Sequence, residues 1–299
     1  MVKRSPLFYV GDKYKLIDEI KQYFPDNIRH FVEPFVGGGS VFMNVEARDY
    51  LLNDLDANII QLHRLLSANS NSGEAFIKDL LEKTASYGLS CSYLRDDVPK
   101  ELKSQFPKTY FAEYNRDGYN KMRKDYNRSV TRDPRILYLL LIYGFNRMLR
   151  FNSHNDFNIP VGNVDFNANV VNALKSYFNV VAYCHIYWTS LDFRIFIDQL
   201  TLNTEDFVYL DPPYLITFSE YNKLWNLDID LELLSVLDKL SSRGIRFAIS
   251  NVTHYKGRVN ETFLCWAKKY NIYHVNSNYI SYHDNTIKNF DEVLVTNYK

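Results

Sequence analysis

The run Phe207 to Leu210 is apolar and short enough for one buried strand, and it ends in Asp211-Pro212-Pro213-Tyr214. Neither proline can donate to a sheet, so the strand stops there, and the carbonyls of Asp211 and Pro212 are left as acceptors without ladder partners. A carboxylate, stiff carbonyls and an aromatic face are thus held at the carboxyl end of a strand. That set suits a planar exocyclic amine such as the N6 of adenine. The two N–H bonds find acceptors, the lone pair is drawn out of the ring toward a nucleophilic geometry, and the ring can stack on Tyr214. The expected chemistry is methylation of a planar amine, with Asp211, Pro212, Pro213 and Tyr214 as its catalytic residues. The plainer alternative is a proline-stiffened turn.

A second group stands far upstream. His30 to Val32 reads as a short strand, followed by Glu33-Pro34-Phe35-Val36-Gly37-Gly38-Gly39 and an apolar run expected to begin a helix. Strand, glycine loop and helix in that order belong to nucleotide-type folds, where bare backbone lets a ligand approach closely. The spacing is neither the dinucleotide fingerprint nor a P-loop, so a pyrophosphate cradle is not expected. Tyr50 to Asp54 reads as a second strand ending in an acid, the place where such folds hold ribose hydroxyls; a helix N-cap is the other use for Asp54. Ahead of both, Tyr9-Val10-Gly11-Asp12-Lys13 sets a ring and a cation beside a helix expected over Leu16 to Phe24.

These residues need a scaffold, and the rest of the chain supplies one in two parts. From Ile59 to about Leu81 the pattern is helical, and Ser86 to Thr109 is polar and irregular. Tyr119, Met122, Arg123 and Tyr126 then share one helical face, and Ile136 to Phe145 reads as a buried helix with Pro134 near its start. Strand–helix alternation resumes at Val180 to Tyr183 and continues with a helix over Leu191 to Leu200, the strand at Phe207, and a helix over Leu231 to Leu240. A strand over Ile245 to Ile249, ended by Ser250-Asn251-Val252, a helix over Phe263 to Tyr270, and a hairpin of Tyr273–Tyr282 with Glu292–Asn297 complete the chain. The expected fold is α/β and Rossmann-like, residues 1–60 and 176–299, interrupted by a mainly helical unit over 61–175 that carries a loop or β-hairpin.

Net charge is zero, from 35 basic and 35 acidic residues, so charge bears on function only through its distribution. Between 115 and 150, nine basic residues stand against three acids, which makes that segment a candidate phosphate-facing surface. It leads into Gly144-Phe145-Asn146-Arg147-Met148-Leu149-Arg150-Phe151-Asn152 and Phe157 to Gly162. There Arg150 could read guanine, Asn146 adenine, and Met148 a thymine methyl or an opened base step; a solvated surface hairpin is the alternative. Cys91, Cys184 and Cys265 are too scattered for a disulfide framework or a zinc site, and no metal is expected. The longest apolar run, Ile136 to Tyr143, is too short for a bilayer, and no signal peptide is visible, so a cytoplasmic protein without membrane contact is expected.

In order and content these stretches, together with Asn53-Asp54 and Asp125-Tyr126-Asn127, resemble the Dam family of DNA adenine-N6 methyltransferases over nearly the whole length. The resemblance implies S-adenosyl-L-methionine (AdoMet) as methyl donor, held by Tyr9, Lys13, Glu33, Phe35, Gly37, Gly39, Asp54 and Asp211. It implies a flipped adenine in double-stranded DNA as substrate, and Asn146, Met148, Arg150, Asn152 and Pro160 as DNA-binding residues of a target-recognition domain. Val161-Gly162-Asn163-Val164 departs from the Phe-Gly and following basic or aromatic residue common in GATC-specific members, so the implied target is GATC or another GAT-containing site. A partner restriction endonuclease is possible for such an enzyme, acting as a monomer or weak dimer on DNA. The rival readings are a catalytically silent DNA-binding subunit of the same fold, or a methyltransferase for an RNA adenine or a protein glutamine. The glutamine enzymes usually carry Asn at the position of Asp211 and lack the insertion.

Overall fold

The computed structural model describes residues 2–95, 98–217, 225–276 and 290–299. Its centre is a sheet of β1 (Ile28–Glu33), β2 (Ala47–Asn53), β3 (His185–Thr189), β4 (Phe207–Leu210), β5 (Arg246–Tyr255), β6 (Arg258–Val259), β7 (Asn271–Val275) and β8 (Phe290–Thr296). The order is β3-β2-β1-β4-β5-β8-β7, with the short β6 beside β5. The five strands from β3 to β5 run parallel, and β8 and β7 add an antiparallel edge. This is a mixed α/β fold on a mostly parallel sheet. Strand order reverses between β1 and β4, and in open α/β sheets the crevice at the carboxyl ends of such strands takes the ligand. The glycine loop follows β1 and Asp211 follows β4, so both open into that crevice.

Strands buried on both faces must be apolar throughout. All four residues of β4 are buried. Phe207 and Tyr209 point into one layer, with Phe31, Tyr50 and Leu52, and Val208 and Leu210 into the other, with Val32, Phe247 and Ile249. The second layer is closed by α8 (Phe193–Asp198), α9 (Leu227–Ser242) and α10 (Glu261–Ala267). The first is closed by α1 (Ile17–Ile20) and by helices that lie in sequence between β2 and β3: α2 (Ala57–Ala68), α3 (Gly73–Ser86), α5 (Tyr110–Arg128), α6 (Pro134–Tyr143) and α7 (Ala168–Val181); α4 (Lys100–Gln105), in the same interval, buries no residue and lies against α5. α6 is apolar all round because α2, α3 and α5 surround it. Pro134 occupies its first turn, and Asp133 accepts from the Arg135 N–H as its cap. Among the described residues no helix is long and apolar enough to cross a membrane.

Several elements differ from expectation, each for a local reason. The apolar run after the glycines makes only a 3-10 turn, Phe42–Asn44. The Asn44 amide donates to the carbonyls of Ser40 and Lys3, competing with the bonds a helix would need. The expected strand at Val180 to Tyr183 is the end of α7 and its exit, and β3 begins later. The β-branched pair Val180-Val181 suggested a strand, but Val170, Leu174, Tyr177 and Val181 form one buried helical face, and Asn167 caps the start. The run from Ile59 breaks into α2 and α3 at Asn69–Ser72, the polar stretch at 86–109 contains α4, and the first helix shrinks to α1 and a 3-10 turn, Lys21–Tyr23. Ser250-Asn251-Val252 does not end β5, which continues to Tyr255 because Ser250 bonds Tyr209 and Thr253 bonds Asp291, so these two buried hydroxyls find partners. The terminal hairpin is present as β7 and β8; the expected strand portion Ser277–Tyr282 lies outside the described residues.

Candidate active site

The crevice is a cavity of about 960 Å³. Its wall is built by the loop Tyr9–Lys13, the loop Glu33–Val41, Asp54–Asp56, Leu191–Phe193, and Asp211–Tyr214 with Thr217. Every candidate cofactor or catalytic residue named from the sequence lies on it.

The glycine loop is shaped by conformation and by neighbours. Gly37 and Gly39 have φ of +46° and +78°, where a side chain is strained. A Cβ on Gly38 would lie 2.8 Å from the Tyr9 Cβ, so the two loops touch backbone to side chain. Asp54 holds the loop from below: its carboxylate accepts from the N–H of Gly37 and of Asp56, each at 2.9 Å. Burial pushes the Asp54 carboxyl up to about 6, against those backbone donors. Beside it, buried Asn53 donates to the carbonyls of Pro34 and Leu191 and accepts from the Leu191 N–H, tying together the exits of β1, β2 and β3. The cap of α2 is Asp56, not Asp54.

His63, in α2, supports the same loop and was missed in the sequence, where a lone histidine on an apolar helix reads as core. It is fully buried, with Nε2 2.9 Å from the Gly37 carbonyl and Nδ1 3.0 Å from the Tyr177 hydroxyl. Its ring stacks on Trp188 at 4.5 Å. Burial lowers its pKa to about 4, so the neutral tautomer donates to Gly37 and accepts from Tyr177.

Lys13 is the centre of the polar group. Its Nζ lies 2.8 Å from Asp211 Oδ1, 2.6 Å from the Tyr214 hydroxyl and 3.3 Å from Glu292 Oε1. The Tyr214 hydroxyl donates to Asp211 Oδ1 at 2.6 Å. Burial works against the Lys13 ammonium, but Asp211, Tyr214 and Glu292 outweigh it and hold its pKa well above the lysine range. Burial, then Asp211, raises the Tyr214 phenol well above its ordinary value, which keeps it neutral. Glu33 is buried at the end of β1, raised by burial and then by Asp211, and its Oε2 has no hydrogen-bond partner among the described residues. Glu33 lines the cavity, and a buried carboxyl oxygen left orphaned there is an acceptor or donor in want of a partner. Phe35 completes the opposite wall with Phe193 and Trp225, their ring centroids 5.4 and 5.7 Å from it.

The residues named for nucleic acid fall differently. Residues 144–162 form a loose antiparallel hairpin, bridged at Gly144–Val161 and Phe151–Phe157 and clamped by Asn127 of α5, which bonds the Phe157 backbone in both directions. Met148 reaches the cavity wall. Asn146 is exposed, with a left-handed φ of 51°. Arg150 is partly buried and donates through Nε to Asn158 Oδ1 at 2.9 Å. Asn152 turns its side-chain oxygen to the N–H groups of His154 and Asp156, which shapes the hairpin tip. Exposed Pro160 lends its carbonyl to the Phe145 N–H. Asn163 accepts from the Phe111 and Ala112 N–H groups and donates to the Lys108 carbonyl, fastening the start of α5. Among the described residues no cluster of three or more histidine, cysteine or acidic side chains could hold a metal.

A family model, D12 class N6 adenine-specific DNA methyltransferase, matches residues 9–280. Two relatives align over 99% of the chain at 35% identity: Type II methyltransferase M.FokI of Planomicrobium okeanokoites and Modification methylase StsI of Streptococcus sanguinis. The alignment covers 43% of each, so the chain spans less than half the length of these relatives. DNA adenine methylase of Escherichia coli (strain K12) is 27% identical over 83% of the chain and 80% of its own length.

Proposed function

The chain belongs to the D12 class of N6 adenine-specific DNA methyltransferases, and from that premise we propose that it methylates the N6 of an adenine flipped out of double-stranded DNA, at GATC or another GAT-containing site. The observation that carries the reading is the Lys13–Asp211–Tyr214 group on the wall of a cavity that also holds the glycine loop. Asp211 Oδ1 is taken by Lys13 and Tyr214, while Oδ2 makes neither bond. That oxygen and the Pro212 carbonyl accept the two amine hydrogens and draw the nitrogen lone pair out of the ring; as the N–C bond formed and the donor's methyl–sulfur bond broke, leaving its electron pair on sulfur, the proton shed by the amine would pass to the Asp211 carboxylate. Tyr214, pinned through its hydroxyl, offers its ring as a rigid stacking face.

The residues fit AdoMet. Glu33 has an oxygen to spare for the ammonium of its methionine part, Asp54 retains lone pairs for ribose hydroxyls, and Phe35 with Phe193 and Trp225 offers ring faces for its adenine. When bound, AdoMet supplies a methyl group already activated by its sulfonium. The remainder of the wall excludes water and aligns the two reactants. Residues 61–175 serve as the target-recognition unit, with the 144–162 hairpin as reader; Met148 lines the cavity, which supports a role for it beside an extruded base. The names of the M.FokI and StsI relatives favour a place beside an endonuclease of the same site.

Sequencing of methylated bases in DNA from cells expressing this chain tests the proposal. N6-methyladenine at one short motif containing GAT is expected; unmodified DNA together with intact AdoMet binding by calorimetry would favour a silent DNA-binding subunit.

A further inference from the structure

Glu292 has no part in the chemistry above, yet its placement is unusual. It sits in β8, only 2% exposed, in register with Val252 of β5 and Val275 of β7. Oε1 lies 3.3 Å from Lys13 Nζ and 3.4 Å from the Tyr214 hydroxyl, and Oε2 has no hydrogen-bond partner among the described residues. A half-satisfied buried carboxylate is a poor stabiliser, and an apolar residue like its neighbours Val293 and Val295 would pack the strand at lower cost. The other titratable groups that act on Lys13 and Tyr214 are Asp211 and Tyr209 of β4, the latter bonded to Ser250. The adjacent Asp291 is engaged by Thr253 and His274.

Lys13 therefore stands between two carboxylates, Asp211 at 2.8 Å and Glu292 at 3.3 Å. Paired with Asp211 alone, one ammonium would neutralise one carboxylate, and in a low-dielectric site a neutralised carboxylate is a weak acceptor for an amine. A second carboxylate on the same ammonium leaves the group one negative charge in excess, carried toward the cavity by Asp211. We propose that Glu292 is a positioning residue for methyl transfer: by sharing Lys13 and Tyr214 with Asp211, it preserves the acceptor strength of Asp211 and fixes the Tyr214 ring. The inference rests on the methyl-transfer reading.

The test compares the full chain with Glu292→Gln and Glu292→Asp, on duplex DNA bearing the motif found by sequencing. Turnover is measured beside AdoMet affinity, the latter by calorimetry. Glu292→Gln keeps the shape and removes the charge, so kcat falls about tenfold or more while AdoMet Kd stays within about threefold. Glu292→Asp, which keeps the charge at shorter reach, gives an intermediate kcat. Wild-type kcat in Glu292→Gln overturns the inference, as does an AdoMet affinity that falls in step with turnover. If melting shows that Glu292→Gln does not fold, Glu292→Asp decides: reduced kcat at unchanged AdoMet affinity upholds the role, and wild-type kcat overturns it. A wild-type chain that methylates no DNA overturns the underlying reading instead, and is seen before any variant is compared.

Discussion

The proposed role of Asp54 makes AdoMet binding sensitive to acid. Burial pushes its carboxyl up to about 6 in the free chain, although the N–H groups of Asp56 and Gly37 already favour the ionised form. Ribose hydroxyls are donors, and they bond a carboxylate far better than a carboxylic acid. The proposed cofactor therefore selects ionised Asp54, and affinity drops as pH falls through 6. With that value, about 99% of the chain is competent at pH 8 and about 9% at pH 5, so Kd rises about elevenfold, or about 1.4 kcal/mol. Calorimetric titration of AdoMet at pH 8, 7, 6 and 5 measures this. Repeating the titration in buffers of different ionisation enthalpy detects the proton released on binding at low pH. Glu33 titrates in the same cavity, so the control is Asp54→Asn, which cannot ionise but leaves Glu33 in place. Its affinity is weaker at pH 8 and lacks the Asp54 part of the slope. Equal slopes in wild type and Asp54→Asn, or a wild-type Kd that is flat from pH 8 to 5, refute the argument.

Asp211→Ala removes the amine acceptor and a partner of Lys13, so methyl transfer to DNA is lost while duplex binding by gel shift is little changed; substantial turnover would discard the mechanism. Arg150→Ala leaves Asn158 without its partner and, if the guanidinium reads a base, costs about 1–3 kcal/mol at the cognate site and relaxes preference at one position. Kinetics on duplexes with single substitutions check this, and equal losses on every duplex would indicate a phosphate contact. His63→Phe keeps the stack on Trp188 but strips Gly37 and Tyr177 of a buried partner, which costs about 1–3 kcal/mol at pH 7 by urea unfolding. Unfolded histidine takes a proton near 6.5, whereas buried His63 waits until about 4, so wild-type stability is lost as pH falls through that window. The loss reaches about 3 kcal/mol and is absent in His63→Phe.

The parts of the site that could be read from sequence are those whose chemistry is local. Pro212 and Pro213 must end β4, and Gly37 and Gly39 must mark backbone that side chains cannot follow; both statements hold without knowing any neighbour. Asp54 was legible because a strand end followed the glycines at a known spacing. Glu292 and His63 were not, because an acid in an apolar strand and a histidine on an apolar helix acquire meaning only from Lys13 and Gly37, which are distant in sequence. The same limit explains the misplaced third strand. Val180 and Val181 favour a strand by propensity, and only the packing of Tyr177 and Leu174 against the inner helices makes the segment helical. Arg150 was legible as a cation on a hairpin, but its bond to Asn158 was not.

β2 and β3 are neighbours in the sheet, so everything from α2 to α7 is one excursion between adjacent parallel strands. The entropy of closing such an excursion grows only with the logarithm of its length, so the sheet hardly registers how much chain is sent out. The outer helices and the hairpin, the proposed reading elements, can therefore be rewritten at small cost to the fold. What cannot be exchanged is the seam. His63 holds Gly37, the Tyr138 hydroxyl donates to the Pro6 carbonyl at 3.1 Å, and the Arg147 guanidinium lies 3.9 Å above the Phe8 ring. A transplant of new reading elements has to join outside those three ties, and one that cuts through them would inherit a new target and lose the pocket that serves it.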